Sequence, residues 1–316
     1  MTVVTGGTGF IGAHLIERLT SAGEPVRAIV RRETSLPRGA VAVRCDFANG
    51  KEIADALRDA DVVIHLAGAT KVLRRLDYYT SNVGVTENLV RAVAGRRVRF
   101  VHVSSLAAIG PTMGPEPLDE DAAPHPITEY GKSKLEAERV VRRLAPDAVV
   151  VRPPVVYGPR DTDVFQFLKS ISRGFVLEIA GGERWFNAVY VKDLCDGLLA
   201  AARCPKAAGR TYFLAHPRAV SWTEFGATAA KILGREPRII RVPAAVASAV
   251  GMSAEIWARF AGKASIVSRE KIREAKCRAW TCQTGRATDE LGFTAPTGID
   301  EGLARTLAWY REAGWL

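Results

Sequence analysis

The stretch Thr5-Gly6-Gly7-Thr8-Gly9-Phe10-Ile11-Gly12 constrains this chain more than any other part of it. It follows four residues, Met1 to Val4, that form a short buried strand. It precedes Ala13 to Leu19, whose apolar residues recur at helical spacing. Strand, glycine turn and helix together are the context that gives a G-x-x-G-x-x-G pattern its physical meaning. Gly6 suits a tight turn of unusual φ. Gly9 lets backbone approach a pyrophosphate with no Cβ in the way, and Gly12 lets the helix pack closely on its strand. The helix N-terminus, with Phe10 and Ile11 in its first turn, offers free N–H groups and partial positive charge to phosphates.

The following segments alternate strand and helix, as in a doubly wound parallel α/β sheet. Val26–Val30 reads as the second strand and ends in Arg31 and Arg32. At this position, about 20 residues past the glycines, an acid binds a ribose hydroxyl, whereas an arginine pairs with a 2′-phosphate. The expected cofactor is therefore NADP(H) in preference to NAD(H). Val41–Cys45 is the third strand, closed by Asp46 and Phe47. Asp46 either accepts from the adenine amino group, with Phe47 beside it, or caps a turn. Asp61–Leu66 is a near-continuous apolar strand ending at Ala67 and Gly68, small residues beside which the cofactor passes. His65 and His102 fall within strands and read as core histidines.

Tyr79–Ala94 reads as a helix, Val98–Val103 as the fifth strand running into Ser104 and Ser105, and residues 128–144 as a helix opening with Tyr130-Gly131-Lys132-Ser133-Lys134. Tyr130 and Lys134 are four residues apart and share a helical face. A free phenol has a pKa of about 10, and a nearby ammonium lowers it. With the Ser105 hydroxyl to orient a substrate oxygen, the three side chains form a proton-transfer device. Ala148–Arg152 is the sixth strand, and prolines 153 and 154 at its end set a rigid turn that can wall the nicotinamide. Arg210–Ala215 reads as a last sheet strand.

The 316 residues, 47% of them hydrophobic, suffice for a large core. The formal charge of +10 is spread over lysines and arginines interleaved with acids, so no nucleic-acid partner is expected. Five cysteines, an odd number without paired metal-ligand spacing, imply neither a disulfide framework nor a metal site. With a first strand starting almost at Met1, no signal peptide is expected and the cytoplasm is the expected compartment. Val242–Lys263 is largely apolar, with Val246, Val250, Ile256, Trp257 and Phe260, but too interrupted to span a membrane. It reads as a core helix pair, or as a lid over an apolar substrate with peripheral contact to a membrane surface.

Gly6 to Gly12, Asn82, Ser105, Tyr130, Lys134 and Arg152–Arg160 resemble the extended short-chain dehydrogenase/reductase family, also called the NAD-dependent epimerase/dehydratase family. The resemblance covers most of the chain. It implies a Rossmann domain over residues 1–157, completed near 189–216, and a smaller substrate lobe from 158–188 and 217–316. It also implies catalytic Ser105, Tyr130 and Lys134, with Asn82 in support. The implied cofactor-binding set is Gly6, Gly9, Phe10, Ile11, Gly12, Arg31, Arg32, Asp46, Phe47, Leu66, Ala67, Gly68, Ser104, Tyr130, Lys134, Pro153 and Val156. A homodimer through helices 79–94 and 128–144 is a further implication.

Val26–Arg31 resembles the dihydroflavonol-reductase and 3β-hydroxysteroid-dehydrogenase branch, whose reductases use NADPH. Phe186 stands where nucleotide-sugar enzymes of the family align a nucleotide-holding arginine, with Arg184 near enough to substitute. The first expectation is an NADP(H)-dependent ketone/alcohol oxidoreductase acting on a small apolar molecule. A nucleotide-sugar epimerase or dehydratase is the alternative, and a non-catalytic dinucleotide-binding protein a third.

Overall fold

A computed structural model describes the chain apart from Pro115 and residues 262–268, and apart from the side chains of residues 254–261. Six strands alternate with helices through the first half: β1 (Thr2–Thr5), β2 (Val26–Val30), β3 (Ala40–Arg44), β4 (Val62–His65), β5 (Arg99–Val103) and β6 (Val149–Val151). With Thr211–Tyr212 they form one seven-stranded sheet, ordered Thr211–Tyr212, β6, β5, β4, β1, β2, β3. Every pairing in it is parallel. Strand order therefore reverses between β1 and β4, the crevice at which a doubly wound fold binds its ligand. The continuous apolar runs of β1, β4 and β5 follow from helices covering both faces. Edge strand β3 is largely exposed instead.

Five helices lie in this half: α1 (Phe10–Ser21), α2 (Gly50–Ala56), α3 (Arg75–Tyr78), α4 (Val85–Val93) and α5 (Glu129–Leu144). The single helix expected over 79–94 starts earlier, at Arg75, and passes through a π-helical turn at Tyr79–Gly84 before α4. Such a turn is a rare insertion, frequent at functional sites. In α5 the Thr128 hydroxyl caps the Gly131 N–H at 3.1 Å, and Arg142 and Arg143 close the last turn. The strand expected over 210–215 is paired only at Thr211–Tyr212, although Phe213, Leu214 and Ala215 continue it into the core.

A second apolar core joins Tyr157, Phe165, Leu168, Phe186, Phe225, Leu303 and Tyr310, contributed by chain beyond the sixth strand. Helices Asp163–Ser172, Trp222–Leu233 and Ile299–Glu312 surround it. The five cysteines are all free thiols, and among the described residues no helix is long and apolar enough to cross a membrane.

Candidate active site

The carboxyl ends of the central strands converge on one groove. After β1, Gly6 takes φ 72°, and a Cβ there would stand 2.7 Å from the Ala67 nitrogen, so only glycine lets the turn close against the end of β4. Gly12 works differently from expectation. A Cβ on it would fall 2.2 Å from the Gly6 oxygen, so it seats α1 against the glycine turn itself rather than against a strand. No side chain caps the N-terminus of α1, and no acid lies in its first turn. Gly7, Thr8, Gly9 and Phe10 line a groove of about 360 Å³ with Ser35, Leu36, Pro37 and Arg160. Arg160, at φ 71° and paired with Glu17 at 2.8 Å, brings a guanidinium to this groove that sequence reasoning did not single out. Uncapped amides and a cation are the chemistry that holds a pyrophosphate.

Beyond β2 and β3 a second groove is lined by Arg31, Arg44, Cys45, Asp46 and Glu52. Arg44 was not anticipated; it lies opposite Val30 in the register of β2 and β3, which brings it beside Arg31. Arg32 is exposed and does not line this groove. Asp46 serves its turn, with Oδ1 accepting from the Ala48 N–H at 2.9 Å. Phe47 is not an adenine wall, because its ring is buried in the core under the sheet while its carbonyl accepts from Asn88.

Of the sequence-predicted residues, Ser105 lies by Tyr130, while Asn82 and Lys134 both lie under the chain at Gly68. Gly131 is the reason α5 can lie so close to the turn after β5: a Cβ there would stand 2.2 Å from the Ala107 oxygen. Tyr130 is thereby set beside Ser105, whose hydroxyl favours the ionised phenol. Asn82 is buried on the π turn. Its Oδ1 accepts from the Ala69 N–H at 2.7 Å, and its Nδ2 donates to Ala69 O and, at 2.9 Å, to Ser133 Oγ. Ser133 in turn donates to the Tyr130 carbonyl at 2.7 Å. A Cβ on Gly68 would lie 2.9 Å from Asn82 Oδ1 and 3.9 Å from Lys134 Nζ, so the chain after β4 runs directly over both. Asn82 thus positions the strand end and α5.

The electrostatics differ from expectation. Burial holds the Tyr130 phenol above its ordinary value; Ser105 and Lys271 pull it down, while Glu274 and Asp163 raise it. Lys134 is not among the groups that act on it most. Its ammonium donates to the Val103 carbonyl at 2.7 Å, and burial lowers its own pKa to about 8. The phenol is therefore protonated near neutrality and fits a proton donor. Lys271 lies in the helix Arg269–Lys276, far along the chain from Tyr130, and no pattern marked it.

Two further assignments change. Ser104 is taken up by the fold: its Oγ donates to Glu138 at 2.5 Å, and Arg152 clasps Glu138 through Nε at 3.0 Å and Nη2 at 2.7 Å. Pro153 is buried with its carbonyl accepting from the Leu106 N–H at 2.9 Å, and Val156 packs on the central core, so both brace the turn after Ser105. Arg184, near enough in sequence to substitute for a nucleotide-holding arginine, is engaged within its own turn. Its guanidinium is spent on the carbonyls of its own turn, Ile179 at 2.7 Å, Gly182 at 2.9 Å and Ala180 at 3.2 Å. Phe186 is buried and stacks on Trp222 with centroids 4.3 Å apart.

A family model, NAD dependent epimerase/dehydratase, matches residues 2–215, the span that carries the glycine turn, Ser105, Tyr130 and Lys134. The chain belongs to that family. Among relatives within it, a ceramide reductase of Caulobacter vibrioides is 28% identical over 320 residues, covering all of this chain and 96% of the relative. A 4-hydroxy-2-methyl-3-oxo-4-farnesyl-3,4-dihydroquinoline-1-oxide ketoreductase of Stigmatella aurantiaca is 27% identical, covering 96% of this chain and 94% of its own. The solved structure of MoeE5 in complex with UDP-glucose and NAD superposes with a TM-score of 0.80 at 28% identity, over 99% of both chains. The fold is thus the family's Rossmann type, and the chain is an NAD(P)-dependent enzyme of the epimerase/dehydratase family.

Proposed function

We propose that this enzyme is an NADP(H)-dependent reductase that converts a ketone on an apolar, long-chain molecule to a secondary alcohol. The observation that carries the reading is the pair Phe186 and Arg184. Where the family's nucleotide-sugar enzymes align a nucleotide-holding arginine, a buried aromatic ring stacks on Trp222, and the neighbouring arginine is locked into its own turn. That position therefore offers no guanidinium to a uridine diphosphate. Two of the relatives are named as a ceramide reductase and a farnesyl-dihydroquinoline-oxide ketoreductase, in line with this reading.

In this reading the substrate lobe is formed by residues 158–188 and 217–316. The glycine turn, Arg160, Arg31 and Arg44 hold the dinucleotide, which supplies the hydride. The protonated Tyr130 gives its proton to the substrate oxygen. Ser105, which favours the ionised phenol, orients that oxygen and stabilises the phenolate that remains. Lys134, pinned by Val103, holds the ribose and replenishes positive charge beneath the site.

The test is consumption of NADPH by the purified enzyme with long-chain ketones, set against UDP-glucose, for the wild type and Tyr130→Phe. Turnover of a long-chain ketone that falls by about a hundredfold or more in Tyr130→Phe, with cofactor binding retained, is expected. Turnover unchanged by the substitution overturns the role of Tyr130. Conversion of UDP-glucose alone, without net cofactor consumption, favours the family's epimerase chemistry.

A further inference from the structure

The helix Ala244–Ala261 has no charged residue before Glu255. One face is used: Ala247 and Gly251 are buried, and Ser248 Oγ accepts from Lys276 at 3.4 Å, which lays this side on the helix Arg269–Lys276. The other face, with Val246, Val250 and Met252, is open. The strand Arg238–Val242 leads into this helix through Pro243 and pairs with a single neighbour, Phe175–Ile179. It exposes Ile240, with Leu177 opposite it in the register, on one face of the pair and Ile239 on the other. These six apolar side chains are between 40% and 57% exposed. A helix apolar on both sides beside an apolar edge strand requires a partner of low polarity.

The charges around the patch indicate which partner. Arg173, Lys231, Arg235, Arg238 and Arg241 are exposed. Arg241 lies 3.8 Å from Glu178, whereas among the described residues the other four make no ion pair. Glu236 is the one further acid in the stretch from Lys231 to Val242. Exposed aliphatic side chains rimmed by excess cations match a bilayer with anionic headgroups, the apolar groups entering the interface and the cations meeting phosphates. The helix that bears the patch packs, by its other side, on one that reaches the site. On the helix Arg269–Lys276, Glu270 accepts from the Glu129 N–H at 2.7 Å and Glu274 from the Thr128 hydroxyl at 3.3 Å, at the turn that carries Tyr130.

We propose that this face of the C-terminal lobe rests on an anionic lipid bilayer, with Val246 and Val250 in the interface and Arg235, Arg238 and Arg241 on headgroup phosphates. The proposal stands on the patch and its rim, and does not need the reductase reading. If both hold, the membrane is also the reservoir from which an apolar substrate reaches Tyr130.

The full-length protein is sedimented with vesicles of phosphatidylcholine alone and of phosphatidylcholine mixed with phosphatidylglycerol. Binding to the mixed vesicles only, weakened by added salt, is expected. Arg235→Gln with Arg238→Gln and Arg241→Gln should weaken it roughly a hundredfold, at the usual contribution of a basic residue near a charged surface. Val246→Asp with Val250→Asp should abolish it, with far-ultraviolet circular dichroism and dinucleotide binding unchanged. If the valine pair fails to fold, the arginine triple variant decides alone. Absence of binding to anionic vesicles, or binding indifferent to the variants, overturns the proposal. So does a dimer that the valine variants dissociate while vesicle binding persists, which would make this face a contact between copies.

Discussion

The Lys134 ammonium donates to the Val103 carbonyl at 2.7 Å, across the join of α5 and β5. This bond holds a nearly fully buried lysine at a fixed point under the site, at the cost of desolvation that lowers its pKa to about 8 from an ordinary 10.5. Between those two values the unfolded chain keeps the proton that the folded chain has released. Stability therefore gains from Lys134 as pH rises through that window, by about 3 kcal/mol at most. Urea midpoints at pH 7.5 and 10 for wild type and Lys134→Met measure this. The difference between the two proteins should narrow or reverse toward alkaline pH in favour of the wild type. A difference independent of pH would contradict it.

His65 and His102 are packed ring to ring at 5.4 Å, yet they differ in kind. His65 is bonded on both nitrogens, to Thr5 at 2.7 Å and Thr86 at 2.8 Å, and Thr86 donates to the Asn82 carbonyl. This ties the strand before the glycine turn to the π turn. Neither nitrogen of His102 has a partner. His65→Leu should therefore cost about 1–3 kcal/mol by leaving the buried Thr5 hydroxyl without its acceptor, whereas His102→Leu should be close to neutral. Denaturant titration of the two variants separates them.

The same pair sets an acid limit. Burial pushes His65 down to about 3 and His102 well below its ordinary 6.5. The unfolded chain takes up these protons first, so stability is full above about pH 6.5 and is lost as pH falls toward 3. The double leucine variant should show a flatter acid limb in thermal unfolding than the wild type. An unchanged limb would assign acid sensitivity to other groups.

Arg31 and Arg44 share one groove, from strands paired at Val30 and Arg44. If both meet a 2′-phosphate, Arg31→Asp and Arg44→Asp should each weaken NADP⁺ by about ten- to a hundredfold, the range of a charged hydrogen bond, while leaving NAD⁺ less affected. Calorimetric titration with both dinucleotides reads this directly. Equal losses for both would place the arginines on a group that the two cofactors share.

The alternation of strands and helices, the glycine turn and the placing of Ser105 by Tyr130 were legible because they rest on motif spacing and on strands buried on both faces. What escaped depends on residues far apart in sequence. Arg44 closes an apolar run on an exposed edge strand, and its position beside Arg31 follows only from the β2/β3 register. The clasp of Arg152 on Glu138 took Ser104 out of the groove, yet a serine at a strand end carries no sign of the carboxylate on the facing helix. Lys271 acts on Tyr130 from the helix Arg269–Lys276, while Lys134, on Tyr130's own helix, spends its ammonium on backbone. Gly131 reads as a weak helix residue until the Ala107 carbonyl is seen against it.

The central claim is net reduction at a substrate ketone beside Tyr130. It is tested most directly by incubating the enzyme with a long-chain ketone and NADPH carrying deuterium at nicotinamide C4, and analysing the product by mass spectrometry. An alcohol with deuterium on its carbinol carbon, formed in step with cofactor oxidation, is the predicted result. No labelled alcohol from any long-chain ketone, together with epimerised UDP-glucose formed without net oxidation of cofactor, would contradict it.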